Sequence, residues 1–342
     1  MNRKRKIDDN HNDNNKRQHI VDWNNMISAS SIRNYLLNDP LLDWLKYYSI
    51  NNINDIPMQK KNDNFTKFQS TKSNILSFNN FIMEQGNLFE KIVFDKLKEQ
   101  IQNTDIKMVQ VSFNNEAQSY NKYMETLNYM KEGVDIIYQG VLHDYKKHLY
   151  GVPDLLVRSD KFYKIFNQQI QYPHYKSKIN YHYVVVDIKH SSIYLNCNKT
   201  FIKDINSIPA YKGQILIYNK ILSEFLGYIP QYGFILSKKI IFTKKNISYS
   251  CDNFMENIAT IDYKGVDKNY NYLTNRAIEW VRIMRTDGHT WRLLPTPSVL
   301  ELHPNMKNDK DDGYRNIKID LAERINEITN LMIDIKIPVW FH

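Results

Sequence analysis

The sequence predicts an α/β fold, a mixed central sheet over about residues 107–243 flanked by helices and extended by further helices at both ends. Three observations carry that expectation. Two apolar runs, Gly151-Val152-Pro153-Asp154-Leu155-Leu156-Val157 and Val184-Val185-Val186-Asp187-Ile188-Lys189-His190, have the length and aliphatic composition of buried strands. Two longer runs, residues 80–102 and 209–225, repeat their apolar residues at helical spacing. Strand character then returns over residues 232–243, the alternation expected where helices cover a sheet.

In chain order, residues 1–20 are polar and charged, too poor in apolar side chains to offset the entropy of ordering, so a disordered tail to about residue 22 is expected. Its basic clusters, Arg3-Lys4-Arg5-Lys6 and Lys16-Arg17, have the spacing of a bipartite nuclear-import signal; the alternative reading is a solvated basic tail. Residues 23–342 read as a single domain with a core at about 80–245 and a helical extension at about 266–342. Cap-type serines lead residues 28–37, so a helix is predicted to start near Ser28 or Ser30. Asn38-Asp39-Pro40 interrupts it before a second apolar segment from Leu41. Residues 51–73 are Asn- and Lys-rich and loop-like.

In the run 80–102, Phe81, Ile82, Leu88, Phe89, Ile92, Val93, Phe94, Leu97 and Ile101 recur at helical intervals. Glu90 shares a face with Phe94 and Leu97, and Gly86 leaves room one turn earlier. Alone, Glu90 reads as a boundary residue; its position ahead of Asp154 and Asp187 favours a functional reading. A strand at 107–113 and a helix at 116–130 follow. Residues 135–143 and 149–157 read as a hairpin joined by Asp144-Tyr145-Lys146-Lys147-His148, with Asp154 inside its second strand. After a polar interval at 159–180, the third core strand is predicted at 181–189 and irregular chain at 191–207. Gln214 and Tyr218 lie one turn apart on the apolar helix 209–225, with Tyr211 beside them. The strand 232–243 runs through Lys238-Lys239 to Lys244-Lys245. In the amphipathic helix 269–285, Leu273, Ala277, Trp280, Val281 and Met284 face inward and Arg276, Arg282 and Arg285 lie outside, read as a solvated face in preference to a nucleic-acid track. A loop at 293–312 and a last helix at 317–333 complete the chain.

The 342 residues carry 46 Lys and Arg against 37 Asp and Glu, a formal charge of +9 that suits a polyanionic partner, nucleic acid above all. Cys197 and Cys251 supply neither a disulfide framework nor four thiolates for an iron–sulfur cluster, and no histidine pairs with cysteine at zinc spacing. A reducing, intracellular setting is expected, nuclear or at a cytoplasmic replication site. Asn, Lys, Ile and Tyr are over-used, as an AT-rich genome imposes, and the composition resembles that of proteins of AT-rich large DNA viruses. No apolar run approaches the ~18 residues that span a bilayer, so no membrane association is expected.

Side chains alternate along a strand, so Asp187 and Lys189 point one way while Val186 and Ile188 point the other, one ionic face and one apolar. Charges at the end of a buried valine run are costly to desolvate, and a cation between two aspartates would offset that cost. Asp154, Asp187 and Lys189, standing as PD…DIK, resemble the signature of PD-(D/E)XK nucleases, and two flanking pieces narrow the likeness. Gly86-Asn87-Leu88-Phe89-Glu90 lies upstream; Gln214-Ile215-Leu216-Ile217-Tyr218 downstream is similar to the QxxxY motif of the RecB-like branch. The likeness covers about residues 28–243. It implies a restriction-endonuclease-like core, with Glu90, Asp154 and Asp187 as acidic metal-site residues, the carbonyl of Ile188 as a further ligand, and Mg²⁺ or Mn²⁺ as the cofactor. Lys189 would be the catalytic lysine and Gln214 and Tyr218 an accessory pair. Where some relatives place a cluster-ligand cysteine before the proline, this chain has Asp39, so no iron–sulfur cluster is implied. The implied activity is hydrolysis of DNA in repair, recombination or replication processing; RNA cleavage, and a nuclease fold that only binds or scaffolds nucleic acid, stay open as alternatives.

Overall fold

Leu155, Leu156, Val157, Tyr183, Val184, Val185, Val186 and Ile188 are all buried, so the strands that carry them need cover on both faces. A computed structural model, describing residues 21–50, 72–113, 116–168, 181–197, 201–251, 253–308 and 313–334, has that arrangement. The elements in chain order are β1 (Ile27–Ser28), α1 (Arg33–Leu36), α2 (Leu41–Tyr47), α3 (Lys72–Ile101), β2 (Met108–Gln110), α4 (Tyr120–Glu132), β3 (Ile136–Tyr138), β4 (Leu142–Asp144), β5 (Leu149–Gly151) and β6 (Leu155–Arg158). They continue with α5 (Phe162–Phe166), β7 (Tyr183–Tyr194), α6 (Ile208–Leu226), β8 (Tyr232–Lys244), β9 (Ile247–Cys251), β10 (Ile258–Asp262), α7 (Tyr270–Asp287) and α8 (Arg315–Asp334).

The protein is mixed α/β. The main sheet runs β10-β8-β7-β6-β3-β2, with β9 added on β8. β2 with β3 and β7 with β8 are parallel and the other pairs antiparallel; α6 is the crossover that joins the parallel strands β7 and β8. On one face Phe89, Val93 and Leu97 of α3 and Phe162 of α5 pack on Leu155, Val157, Val184, Val186 and Ile188. On the other, Ile215, Leu216, Tyr218 and Leu222 of α6 pack with Leu156, Val185 and Ile235, and the same core takes in α1, α2, α7 and the start of α8. The N- and C-terminal helical additions thus share one core on the α6 side.

Several expectations change. Ser28 to Ser31 form no helix: Ser28 pairs in β1 and its hydroxyl lies 2.6 Å from that of Ser31, so the serines bond one another and α1 starts only at Arg33. The two hairpin strands are each broken. Gln139 adopts a left-handed φ of 51°, Pro153 has no N–H for a ladder, and β4 and β5 leave the main sheet to form a second one with β1. Asp154 therefore lies in the bend between β5 and β6, not inside a strand. The polar interval contains α5, whose Phe162 is fully buried; residues 169–180 lie outside the described residues. β7 continues to Tyr194 through a register shift between Lys189 and Ser192, where irregular chain was expected. β9 and β10 were not anticipated. The basic tail at 1–20 and most of the expected loop at 51–73 also lie outside the described residues.

On α3, Phe89, Val93 and Leu97 are buried as expected, but Phe81, Ile82, Leu88 and Ile92 are exposed, because the sheet is reached by only one stripe of the helix. On α7, Ala277, Trp280, Val281 and Met284 are buried and Leu273 is exposed. Of the expected solvated face Arg276 is exposed, while Arg282 and Arg285 are half-buried and bonded: Arg282 donates to the carbonyl of Lys147 at 2.8 Å, and Arg285 to those of Asn24 and Met26 at 3.0 and 2.9 Å. Among the described residues, no helix is long and apolar enough to cross a membrane.

Candidate functional site

The antiparallel register Leu155↔Val186 sets Asp154, one residue before β6, beside Asp187, one residue further along β7. The backbone holds Asp154 from its other side, since the N–H of Gln139 donates to its carbonyl at 2.8 Å. Its carboxylate then crosses to β7, where Oδ2 accepts the N–H of Ile188 at 2.6 Å. Asp187 is buried, and Lys189 Nζ lies 2.7 Å from its Oδ2, as the two-residue strand repeat predicts. The expected division of β7 into an apolar and an ionic face is corrected in part: Tyr183 and Val185 are buried on the side of Asp187, so the charges follow an apolar stretch of the same face.

Glu90 arrives from α3, on the opposite face of the sheet, and is partly buried. Burial raises its carboxyl above the ordinary carboxylate range; Lys189 opposes that rise and Asp187 adds to it. Asp154 is held well above its ordinary value, by burial first, then by the negative charges of Asp187 and Glu90, against the opposing pull of Lys189 and the Ile188 N–H. For Lys189, burial disfavours the charged form, but Asp187 and Asp154 outweigh it and raise the ammonium above its ordinary value. Three carboxyls and one lysine thus act within one electrostatic field. Tyr138 borders it, its hydroxyl pushed up by burial and by Glu90 and Asp154.

Gln214 and Tyr218 meet each other rather than open space: Gln214 Nε2 donates to Tyr218 Oη at 2.8 Å, and Tyr218 Oη donates to the carbonyl of Val152 at 3.2 Å. Burial and the nearby Asp187 keep the tyrosine hydroxyl neutral well above its ordinary value. Gly151 makes the approach possible, since a Cβ there would stand 2.5 Å from Tyr218 Cε1. A glycine three residues ahead of Asp154 is the sequence signal for this contact. Tyr211, one turn before Gln214, faces Lys189, whose Nζ is 5.2 Å from its ring centre. At Gly86 a Cβ would meet nothing within 4 Å, so the bare helix surface one turn before Glu90 is open.

Among the described residues, no three His, Cys, Asp or Glu side chains gather closely enough to form a metal-holding group. The Lys189 ammonium stands against Asp187 instead. The donor chemistry nevertheless fits a hard cation: Asp187 Oδ2 is buried, accepts no hydrogen bond of good geometry, and lies against that ammonium, while the carboxyls of Asp154 and Glu90 add oxygen donors that a cation would deprotonate. The oxygen-only set does not suit soft metals. Asp39, at the position of the absent cysteine, is fully buried in an ion pair with Lys318, Nζ to Oδ2 2.8 Å. No family model and no curated protein matches the chain.

Proposed function

We propose that this protein is a metal-dependent nuclease with a PD-(D/E)XK core of the RecB-like kind, hydrolysing phosphodiester bonds of DNA. The observation that carries the reading is the meeting of Asp154, just before β6, with Asp187 within its partner strand β7, with Ile188 N–H and Lys189 Nζ as their respective partners. The order of the flanking parts supports it. The Glu90 helix precedes these strands, and the Gln214 helix crosses over to a parallel return strand, β8.

Asp154 and Asp187 would hold Mg²⁺ or Mn²⁺, with Glu90 and the Ile188 carbonyl completing the oxygen set. A cation bound there supplies charge neutralisation for the phosphate and a more acidic water. Lys189 remains protonated across the physiological range, so at the reacting phosphate it acts as a fixed positive charge and donor, not as a base. Taking up that role requires its ammonium to exchange Asp187 for the phosphate. Gln214 and Tyr218 hold the chain just before Asp154, which makes them positioning residues.

A second reading, a nuclease-like protein that binds nucleic acid without cutting it, is favoured by one observation, the Lys189–Asp187 pair in place of a gathered ligand set. One experiment separates the two. End-labelled linear and covalently closed circular DNA are incubated with the protein in Mg²⁺, Mn²⁺ or chelator, beside Asp154→Ala and Asp187→Ala. Cleavage that needs the cation and both carboxylates supports the nuclease; binding with no cleavage under any condition supports the second reading.

A further inference from the structure

Beyond Ser237, the partner of Lys189 in the parallel pair, β8 runs on for seven residues and turns back as β9. The turn is made by Lys245 and Asn246, both left-handed at φ 50° and 63°, flanked by the pair Lys244↔Ile247. That is the geometry of a tight two-residue hairpin, whose twist matches the flanking strands. Residues 243–250 are all exposed. Over residues 238–251 the sequence has four lysines, Lys238, Lys239, Lys244 and Lys245, and no acid. Phe242 and Tyr249 are directly paired across the ribbon, their rings stacked at 5.1 Å and 9°. Ile240 and Phe242 pack with the core on the α6 side, which anchors the base of the ribbon.

The geometry points to a DNA-docking arm: the β8–β9 ribbon holds the phosphate backbone of the substrate at a fixed distance from the cutting site. The proposal rests on the nuclease reading for its substrate and adds where that substrate is held. A short ribbon this cationic and free of acids has charge complementary to a polyphosphate, and its tight turn and aromatic pair make it a stiff lever rather than a loose loop. At ~3.3 Å per residue, Phe242 lies about 17 Å and Lys244 about 23 Å along the strand from the Lys189 level. With ~3.4 Å of helix axis per phosphate of a strand, an arm lying along the duplex reaches DNA about five to seven base pairs from the scissile bond.

The test measures binding in chelator, so that cleavage plays no part, by fluorescence anisotropy over a salt series with a duplex of about 30 base pairs. The parent is compared with Lys244→Glu/Lys245→Glu, with Tyr249→Ala, and with Lys131→Glu, an exposed charge on α4 used as control. The double reversal is expected to lower the slope of log affinity against log salt by about two and to weaken binding about tenfold, with Lys131→Glu close to the parent. A duplex ending about four base pairs from the cleavage point should bind parent and double variant alike. An unchanged slope in a double variant whose unfolding midpoint matches the parent overturns the proposal, as does a parent that does not bind the duplex. A variant altered only in self-association, read by light scattering, also overturns it, leaving the lysines as guards of an open strand edge. If the parent binds through the ribbon but never cleaves, the nuclease reading fails and the docking arm stands; if it cleaves and the slope is unchanged, the arm alone fails.

Discussion

Tyr218 Oη donates to the carbonyl of Val152 at 3.2 Å, so α6 grips the chain two residues before Asp154. The grip is reinforced by Gln214, which donates to the same hydroxyl. Removing the hydroxyl in Tyr218→Phe frees the bend that delivers Asp154 while keeping the ring. Divalent-cation affinity is expected to fall about tenfold, the scale of losses for groups that orient a ligand without touching the metal. Gly151→Ala should act in the same direction, since its Cβ would collide with the tyrosine ring. Calorimetric Mg²⁺ titration of the folded variants checks this; unchanged affinity in Tyr218→Phe would mean that the Ile188 N–H alone orients Asp154.

Lys189→Ala removes a charge expected to act mainly in the transition state. Turnover should fall about 10²–10⁴-fold with DNA affinity nearly unchanged. Single-turnover cleavage and binding measured side by side separate the effects, and a variant that binds weakly yet cleaves normally at saturation reduces Lys189 to a phosphate contact.

The acid cluster also makes stability depend on pH. Asp154 and Glu90 have folded values raised above the unfolded ones, so the folded state keeps protons that the unfolded chain has released. Their contribution is most favourable below the unfolded values of about 4 and is lost as pH rises through the folded values. In chelator, Asp154→Asn should therefore gain stability over the parent as pH increases from 5 to 7.5, and added Mg²⁺ should narrow that gap by stabilising the parent. Asp43, pushed up to about 7 by burial, adds a dependence of the same sign. The half-buried His182, lowered to about 4, adds one of the opposite sign, which is why the measured quantity is the difference between variant and parent urea midpoints. A difference that does not vary with pH would remove Asp154 from the cluster.

Asp39 and Lys318 bridge α2's entry and α8 with no exposure to solvent. Asn308 Nδ2 also donates to the Asp39 carboxylate, at 2.8 Å. Lys318→Ala leaves a buried carboxylate without its cation and should cost about 3–5 kcal/mol of stability, whereas Asp39→Leu with Lys318→Met should lie much closer to the parent. Urea unfolding of the three proteins decides between a structural clasp and an incidental pair.

By itself the sequence determined the elements whose signals are local. The apolar periodicity around Gln214 and Tyr218 marked α6 to within a residue or two, the run after Tyr232 marked β8, and the alternation around Asp187 put Lys189 on the same side, where the ion pair forms. Asp187 stood out as a carboxylate in a buried valine run, whereas Asp154 and Glu90 were singled out by their order relative to it in the nuclease-like pattern. Only the tertiary structure decided where the strands end and who partners whom. Ile27 pairs with Leu149 and draws β5 into a separate sheet, which leaves Asp154 in a bend; Arg285 finds carbonyls in the chain near Met26; and Asp39 finds Lys318. Each of these joins residues more than a hundred positions apart, and a periodic pattern records only that a side chain should be buried, not which distant group will bury it.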